Sequence, residues 1–337
     1  MQKRRLGRTN IETAAVGFGG IPIQKATKEK AIELIRIAKE SGINFIDTAR
    51  AYGKSEELIG YGINATSREH WYVATKSMAR SYEEMKADIE ISLRKLQLDY
   101  IDLYQMHNIK TKEIYKRVMS DSGALKALKE AKEEGKIKNI GITSHSLDIL
   151  VDAIETNEFA SIQFPYNPIE RQGEDLFERA NELDIGVIVM KPVAGGAIRN
   201  VEYSLRYILE NKNVTVVIPG MDEAEHIRNN AAVANPFIPM SNMERDIIEK
   251  EAASLGTEFC RRCGYCQPCS VGIDIPTQFV LEGYLLRYDL PQWAKDRYMS
   301  LDKKAEDCIR CGMCEPRCPY NLPIVEMLKR VSQNFAK

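Results

Sequence analysis

The first 259 residues of this 337-residue chain contain no cysteine, and all eight cysteines fall in the last 80. A disulfide-stapled body is thereby excluded, and thiol chemistry is confined to the C-terminal end. No run of 18 apolar residues occurs, and the opening MQKRRLGRTNIETAAVG lacks the cationic, apolar profile of an export leader. The expectation is a cytoplasmic protein with no membrane partner. An excess of charge of one sign is missing too. The 47 basic and 48 acidic side chains nearly cancel and are dispersed, so nothing points to nucleic acid. An early GxGxxG between strand and helix is also absent, since VGFGGIPI has a different spacing, which disfavours an open dinucleotide-binding sheet.

What is present is a repeat. AAVGFGG, NFIDTA, HWYVATK, YIDLYQMH, IKNIGIT, ASIQFPY, GVIVMKP and VTVVIPG are apolar runs of strand length, followed by helical patterns such as KEKAIELIRIAKESG or YEEMKADIEISLRKLQ. Eight such units with strands buried on both faces predict an α/β fold, a (β/α)8 TIM barrel, in roughly 240 residues. Before the first run, QKRRLGRTNIETA reads as a short hairpin closing the barrel floor. The two prolines of NPFIPMSN end the pattern. The domain plan is therefore a barrel over 1–240, a linking helix over 241–256 and a small, mainly helical domain over 257–337. Between the cysteine runs, PTQFVLEGYLLRYDL reads as an amphipathic helix ending at Pro291, followed by a polar stretch.

The cysteines form two quartets, CRRCGYCQPC (Cys260, Cys263, Cys266, Cys269) and CIRCGMCEPRCP (Cys308, Cys311, Cys314, Cys318). The second has the C-x2-C-x2-C-x3-C-P spacing by which bacterial ferredoxins hold a [4Fe-4S] cluster. Zinc ligands come as separated pairs, whereas three cysteines at successive three-residue steps wrap a cluster, so two [4Fe-4S] clusters are expected in an iron–sulfur domain. In two-cluster ferredoxins the fourth cysteine ligates the other cluster. By that rule Cys260, Cys263, Cys266 and Cys318 hold one, and Cys308, Cys311, Cys314 and Cys269 the other, although the first quartet ends one residue early and lacks the proline. Arg261, Arg262, Arg310 and Arg317 lie within the motifs, either offsetting the clusters' negative charge or standing as solvated surface. The long helical spacer makes the domain resemble α-helical ferredoxins.

Function in such a barrel collects where strands run into their following loops. Strand two ends in Asp47 with Tyr52 just beyond, strand three in Lys76 and strand four in His107. Those types suit carbonyl reduction. A carbonyl accepting hydride needs a proton at oxygen, which Tyr52 can supply if the Lys76 ammonium stabilises its anion. Asp47 would pair with and orient Lys76, while His107 would bind the carbonyl oxygen. In these residues, FIDTARAYG, ATK and YQMH, the chain from 1 to about 235 resembles an aldo-keto reductase. The resemblance implies a nicotinamide cofactor, NADP(H) or NAD(H). It places Ser144, His145 and Gln163 near the nicotinamide, with Met190 stacking on it, and counts Gly20 among the cofactor-binding residues. Lys191 and Pro192 would lie at the pyrophosphate loop VMKPVAGGA, and Gly220, Met221, His226 and Asn230 of IPGMDEAEHIRNN at the adenosine end. Departures fall where the family commonly has an aromatic stacking residue (Met190), an Asn (His145) and 2′-phosphate-gripping residues (Gly220, Met221, His226).

The implied activity is NAD(P)H-dependent reduction of a small aldehyde or ketone. A hydride carries two electrons and a [4Fe-4S] centre accepts one, and no flavin signature is visible to join them. The alternatives are an electron-transfer protein served by a ferredoxin-like or other redox partner, and a redox-sensing regulatory subunit.

Overall fold

The computed structural model describes residues 1–336 except 256, 257, 263, 289 and 319. It opens with an antiparallel hairpin of β1 (Lys3–Arg5) and β2 (Glu12–Ala14). Every apolar run of the sequence then carries a strand. These are β3 (Phe18–Gly19), β4 (Phe45–Asp47), β5 (Tyr72–Ser77), β6 (Ile101–Met106), β7 (Ile137–Thr143), β8 (Ser161–Pro165), β9 (Gly186–Met190) and β10 (Val216–Val217). They pair in chain order, all parallel. Parallel bridges Val16↔Val217 and Gly19↔Gly220 return the last strand to the first, with the Gly17 amide donating to Val217 O at 2.8 Å. The eight-stranded sheet thus closes as a barrel, its first and last strands joined to each other.

Helices start where the local chemistry permits. Thr27 accepts from Lys30 N at 3.2 Å to cap Lys28–Glu40, and a Ser81/Glu84 capping box opens Tyr82–Leu96. The hairpin plugs the barrel floor. Its Leu6 and Ile11 are buried in one layer with Phe45, Ala74, Leu103, Ile188, Val216 and Ile218, each of the side chains larger than alanine contributing about 1.5–3 kcal/mol by leaving water. Gly7 lies between them with φ +49°, where a Cβ would strike the Gly186 amide, so only glycine lets the turn approach that closely.

The chain divides into two compact units. The first comprises Met1–Asn167, Arg171–Pro192 and Val201–Ser241. The second takes the chain from Asn242 together with two earlier stretches, Pro168–Glu170 and Val193–Asn200. Its helices are Asn242–Leu255, Ile275–Leu286, Pro291–Met299 and Ile324–Phe335. The helix expected to reach Pro291 stops at Leu286, and the expected polar stretch begins instead with a helix that Pro291 opens. Proline suits a first helical position because its missing N–H would have no partner there. The core of this unit mixes apolar side chains such as Ile273, Phe279, Leu328 and Val331 with Cys266, Cys314 and Cys318. Among the described residues, no helix is long and apolar enough to cross a membrane.

Candidate active site and metal centre

Inward positions on a strand recur every second residue, so the layer above the apolar floor can be read from the floor itself. Phe45 is followed by Asp47, Ala74 by Lys76, Leu103 by Gln105 and Ile188 by Met190. Apolar packing thus gives way in one step to a polar layer at the carboxyl ends of the strands.

Lys76 Nζ donates to Asp47 Oδ2 at 2.6 Å and to Thr48 O at 2.7 Å. The two side chains are only 1% and 3% exposed. Burial pushes the Lys76 ammonium below its ordinary range and the Asp47 carboxyl above its own, while their attraction opposes both shifts. Gln105 Nε2 stands 3.4 Å from the second oxygen, Asp47 Oδ1. Tyr52 is half-buried in the loop after β4. The Lys76 ammonium lies 4.9 Å from its ring centroid, and the His107 imidazole meets that ring edge-on with centroids 5.7 Å apart. The structure therefore brings Asp47, Tyr52, Lys76 and His107 together, the ion pair deep and the tyrosine and histidine nearer solvent.

Three supporting features escape a reading of strand ends. Gln105 precedes His107 by two residues and so shares its face; that period was the available signal. Arg80 Nη2 donates to His107 O at 2.8 Å and Asn108 O at 3.0 Å, fixing the backbone that carries the imidazole. On the outer face of β5, buried Glu56 accepts from Thr75 Oγ1 at 2.8 Å and Arg50 Nη1 at 3.1 Å. Arg50 also reaches Asp88 at 3.2 Å, so a charged cluster braces the strand that bears Lys76.

In the second unit, Cys260, Cys266 and Cys318 line one cavity, beside Arg261 and Tyr320. Cys269, Cys308, Cys311 and Cys314 line another, beside Ser270 and Arg317. Each cavity draws thiols from both quartets. Cys263 lies outside the described residues. Among the described residues, no three Cys, His, Asp or Glu side chains converge as the ligands of one ion would. Thiols spread around a cavity suit a cluster, whose cysteines bind different irons, better than zinc, whose sulfurs all lie about 2.3 Å from one centre.

Residues 15–204, more than half of the chain, match the aldo/keto reductase family. The chain belongs to that family. Residues 259–323 match a 4Fe-4S dicluster domain, so an iron–sulfur domain follows the aldo/keto reductase barrel. Among curated relatives, L-galactose dehydrogenase of Arabidopsis thaliana is 27% identical over 302 residues, spanning 75% of this chain and 94% of its own. Aldo-keto reductase YhdN of Bacillus subtilis is 34% identical over 197 residues, spanning 52% of this chain and 56% of its own. Among solved structures, the holo form of aldo-keto reductase AKR11C1 from Bacillus halodurans superposes with a TM-score of 0.65 at 26% identity. The match covers 74% of this chain and 96% of that one.

The family's cofactor landmarks occupy varied settings. Gln163 is buried, and its Oε1 has no partner among the described residues, a vacant acceptor in the polar layer. Ser144 Oγ donates to Ile109 O at 2.6 Å and accepts from Ser146 N at 2.9 Å, which leaves it one lone pair. His145 Nδ1 faces Asn108 Oδ1 at 3.2 Å. Met190 and Lys191 are half-buried at the end of β9, Pro192 is buried, and the Lys191 carbonyl accepts from Asn167 Nδ2 at 3.0 Å. Gly20 is a packing glycine: its amide donates to Asp47 O at 2.8 Å, and a Cβ would stand 2.8 Å from the same oxygen. Gly220 is exposed, while Met221 and Asn230 are buried. His226 is exposed, with Nδ1 3.2 Å from Asp222 Oδ1.

Proposed function

We propose that this aldo/keto reductase family member is an NAD(P)H-dependent carbonyl reductase acting on a small aldehyde or ketone. The observation that carries the reading is the buried Lys76–Asp47 pair set against Tyr52, with His107 at the ring edge. Bound nicotinamide would supply a hydride to the carbonyl carbon. Tyr52 Oη gives the matching proton to the oxygen, so carbonyl, hydride and proton sum to an alcohol. The Lys76 charge stabilises the tyrosinate left behind, Asp47 keeps Lys76 oriented, and His107 hydrogen-bonds the substrate oxygen. Gln163 Oε1, a buried acceptor without a partner among the described residues, suits the carboxamide N–H2 of the nicotinamide. Met190 offers an apolar, polarisable platform at the same level.

The second unit holds two [4Fe-4S] clusters in this reading, one in each cysteine-lined cavity, with Cys263 completing the first. One observation favours a second role, in electron transfer with a ferredoxin-like or other redox partner. Cys311 is exposed, between Ile309 at 63% and Met313 at 57% exposure, so the second centre lies where a one-electron partner can approach.

Anaerobically purified protein is mixed with NADPH or NADH and a panel of small aldehydes and ketones. Cofactor oxidation should depend on the added carbonyl and fall about 100- to 10,000-fold in Tyr52→Phe, with cofactor affinity retained. Undiminished turnover in that variant refutes the reading. Clusters that reduce reversibly with a low-potential donor, in protein that turns over no carbonyl, favour the electron-transfer role instead.

A further inference from the structure

The two cysteine runs repeat one backbone design. Arg262 and Arg310 each lie two residues after the first cysteine of their run, and both are left-handed, with φ of +60° and +57°. Gly264 and Gly312 repeat in the same way, at +84° and +71°. The arginine side chains part company. Arg310 is exposed, whereas the Arg262 side chain is 9% exposed and forms an ion pair with a fully buried carboxylate, Glu170. The Arg262 amide donates to Cys260 Sγ at 3.4 Å, and its Nε is buried without an acceptor among the described residues. One of two equivalent positions thus carries a desolvated charge on a residue whose amide contacts a candidate cluster sulfur, and the other carries a solvated one. Solvent and salt screen the second far more than the first.

We propose that the Arg262–Glu170 pair sets the reduction potential of the iron–sulfur centre held by Cys260, Arg262 raising it and Glu170 holding it down. The proposal rests on the iron–sulfur reading of residues 259–323. Reduction brings one electron from an external donor, and so one negative charge, to that centre. The Arg262 guanidinium, desolvated and held by Glu170 on a residue whose backbone amide meets the ligand sulfur, stabilises the added charge. Glu170 opposes it and also fixes where the guanidinium stands, which makes it a positioning residue. Arg310 exerts no comparable pull, so the two centres respond differently to equivalent substitutions.

The test is an anaerobic redox titration of the full-length protein, with dithionite as donor and electron paramagnetic resonance as readout. Glu170→Gln leaves the Arg262 charge uncompensated. It should raise one midpoint by about 59 mV, a tenfold rise in the reduced-to-oxidised ratio at fixed potential. Arg262→Met should lower the midpoint of the same centre by a similar amount, Arg262→Lys should stay near the wild type, and Arg310→Met should move neither midpoint appreciably. A purely structural role would move Glu170→Gln and Arg262→Met in the same direction. Shifts of like sign, or none with clusters intact, overturn the proposal. Iron and sulfide counts accompany each variant. Wild-type protein lacking both defeats the iron–sulfur reading itself, whereas full clusters with unmoved midpoints defeat only the present inference. If Arg262→Met fails to retain iron, Glu170→Gln decides: an upward shift supports the proposal and any other result overturns it.

Discussion

Replacing Lys76 by methionine keeps most of the side-chain volume and removes the charge from the centre of the barrel. Asp47, 3% exposed, then keeps a carboxyl group in a site where its ion-pair partner, 2.6 Å away, is gone. Breaking a buried ion pair by removing one member costs about 3–5 kcal/mol. For a unit of this size, each kcal/mol is worth about 2–4 °C of melting temperature, so Lys76→Met should melt about 6–20 °C lower near pH 8. The loss should shrink in acid. Burial already pushes the Asp47 carboxyl up, and without Lys76 the main attraction that opposes that push is gone. An acid whose folded pKa exceeds its unfolded value of about 3.9 binds a proton in the folded state first. Stability of the variant therefore falls as pH rises from the unfolded pKa to the folded one and stays low above it. Asp47→Asn combined with Lys76→Met removes both charges and should recover much of the loss. Thermal unfolding under anaerobic conditions at pH 5 and pH 8, for wild type, both single variants and the double variant, reads all of this. A loss of equal size at both pH values, or a double variant no better than Lys76→Met, would refute the reasoning.

Three further outcomes are expected. Burial holds the Lys76 ammonium below the ordinary lysine value, so the carbonyl-reduction rate should fall on its alkaline limb before pH reaches about 10.4; a flat pH–rate profile through that point contradicts the assignment. Arg80→Met removes the donors to His107 O and Asn108 O and should raise KM several-fold while changing kcat less, which steady-state kinetics with a carbonyl substrate will show. Stripping iron with a chelator under reducing conditions should loosen the second unit, because Cys266, Cys314 and Cys318 belong to its core. Limited proteolysis should then cut beyond residue 242 while the barrel resists, and equal resistance throughout would count against a structural contribution from the clusters.

The barrel was legible in the sequence because parallel strands buried on both faces leave continuous apolar runs, and all eight became strands. Asp47, Lys76 and His107 at the strand ends were legible for a related reason, since inward positions at the ends of parallel strands face the same space, and Tyr52 lies in the loop that follows the first of them. What supports them was not. Whether Gln105 meets Asp47, or Glu56 is buried under Arg50, depends on neighbours brought together by the closed sheet. The end of the Ile275–Leu286 helix was misjudged because Pro291 can begin a helix as readily as follow one. Arg262 and Arg310 looked alike in their motifs, and the carboxylate that separates them comes from elsewhere in the chain.

That separation has a consequence for biosynthesis. Glu170 precedes Arg262 by 92 residues, so at about 5–20 residues per second the ribosome needs roughly 5–20 s to deliver the arginine after the glutamate. During that interval the glutamate has no Arg262 to pair with, and every cysteine but Cys260 has yet to be made. The second unit is assembled from stretches near residues 168 and 193 as well as from Asn242 onward, so its earliest pieces wait for chain made later. Iron insertion is thereby placed after synthesis of the stretch that carries Glu170. A fragment excised at Asn242 would lack one of the two charges that distinguish its metal sites.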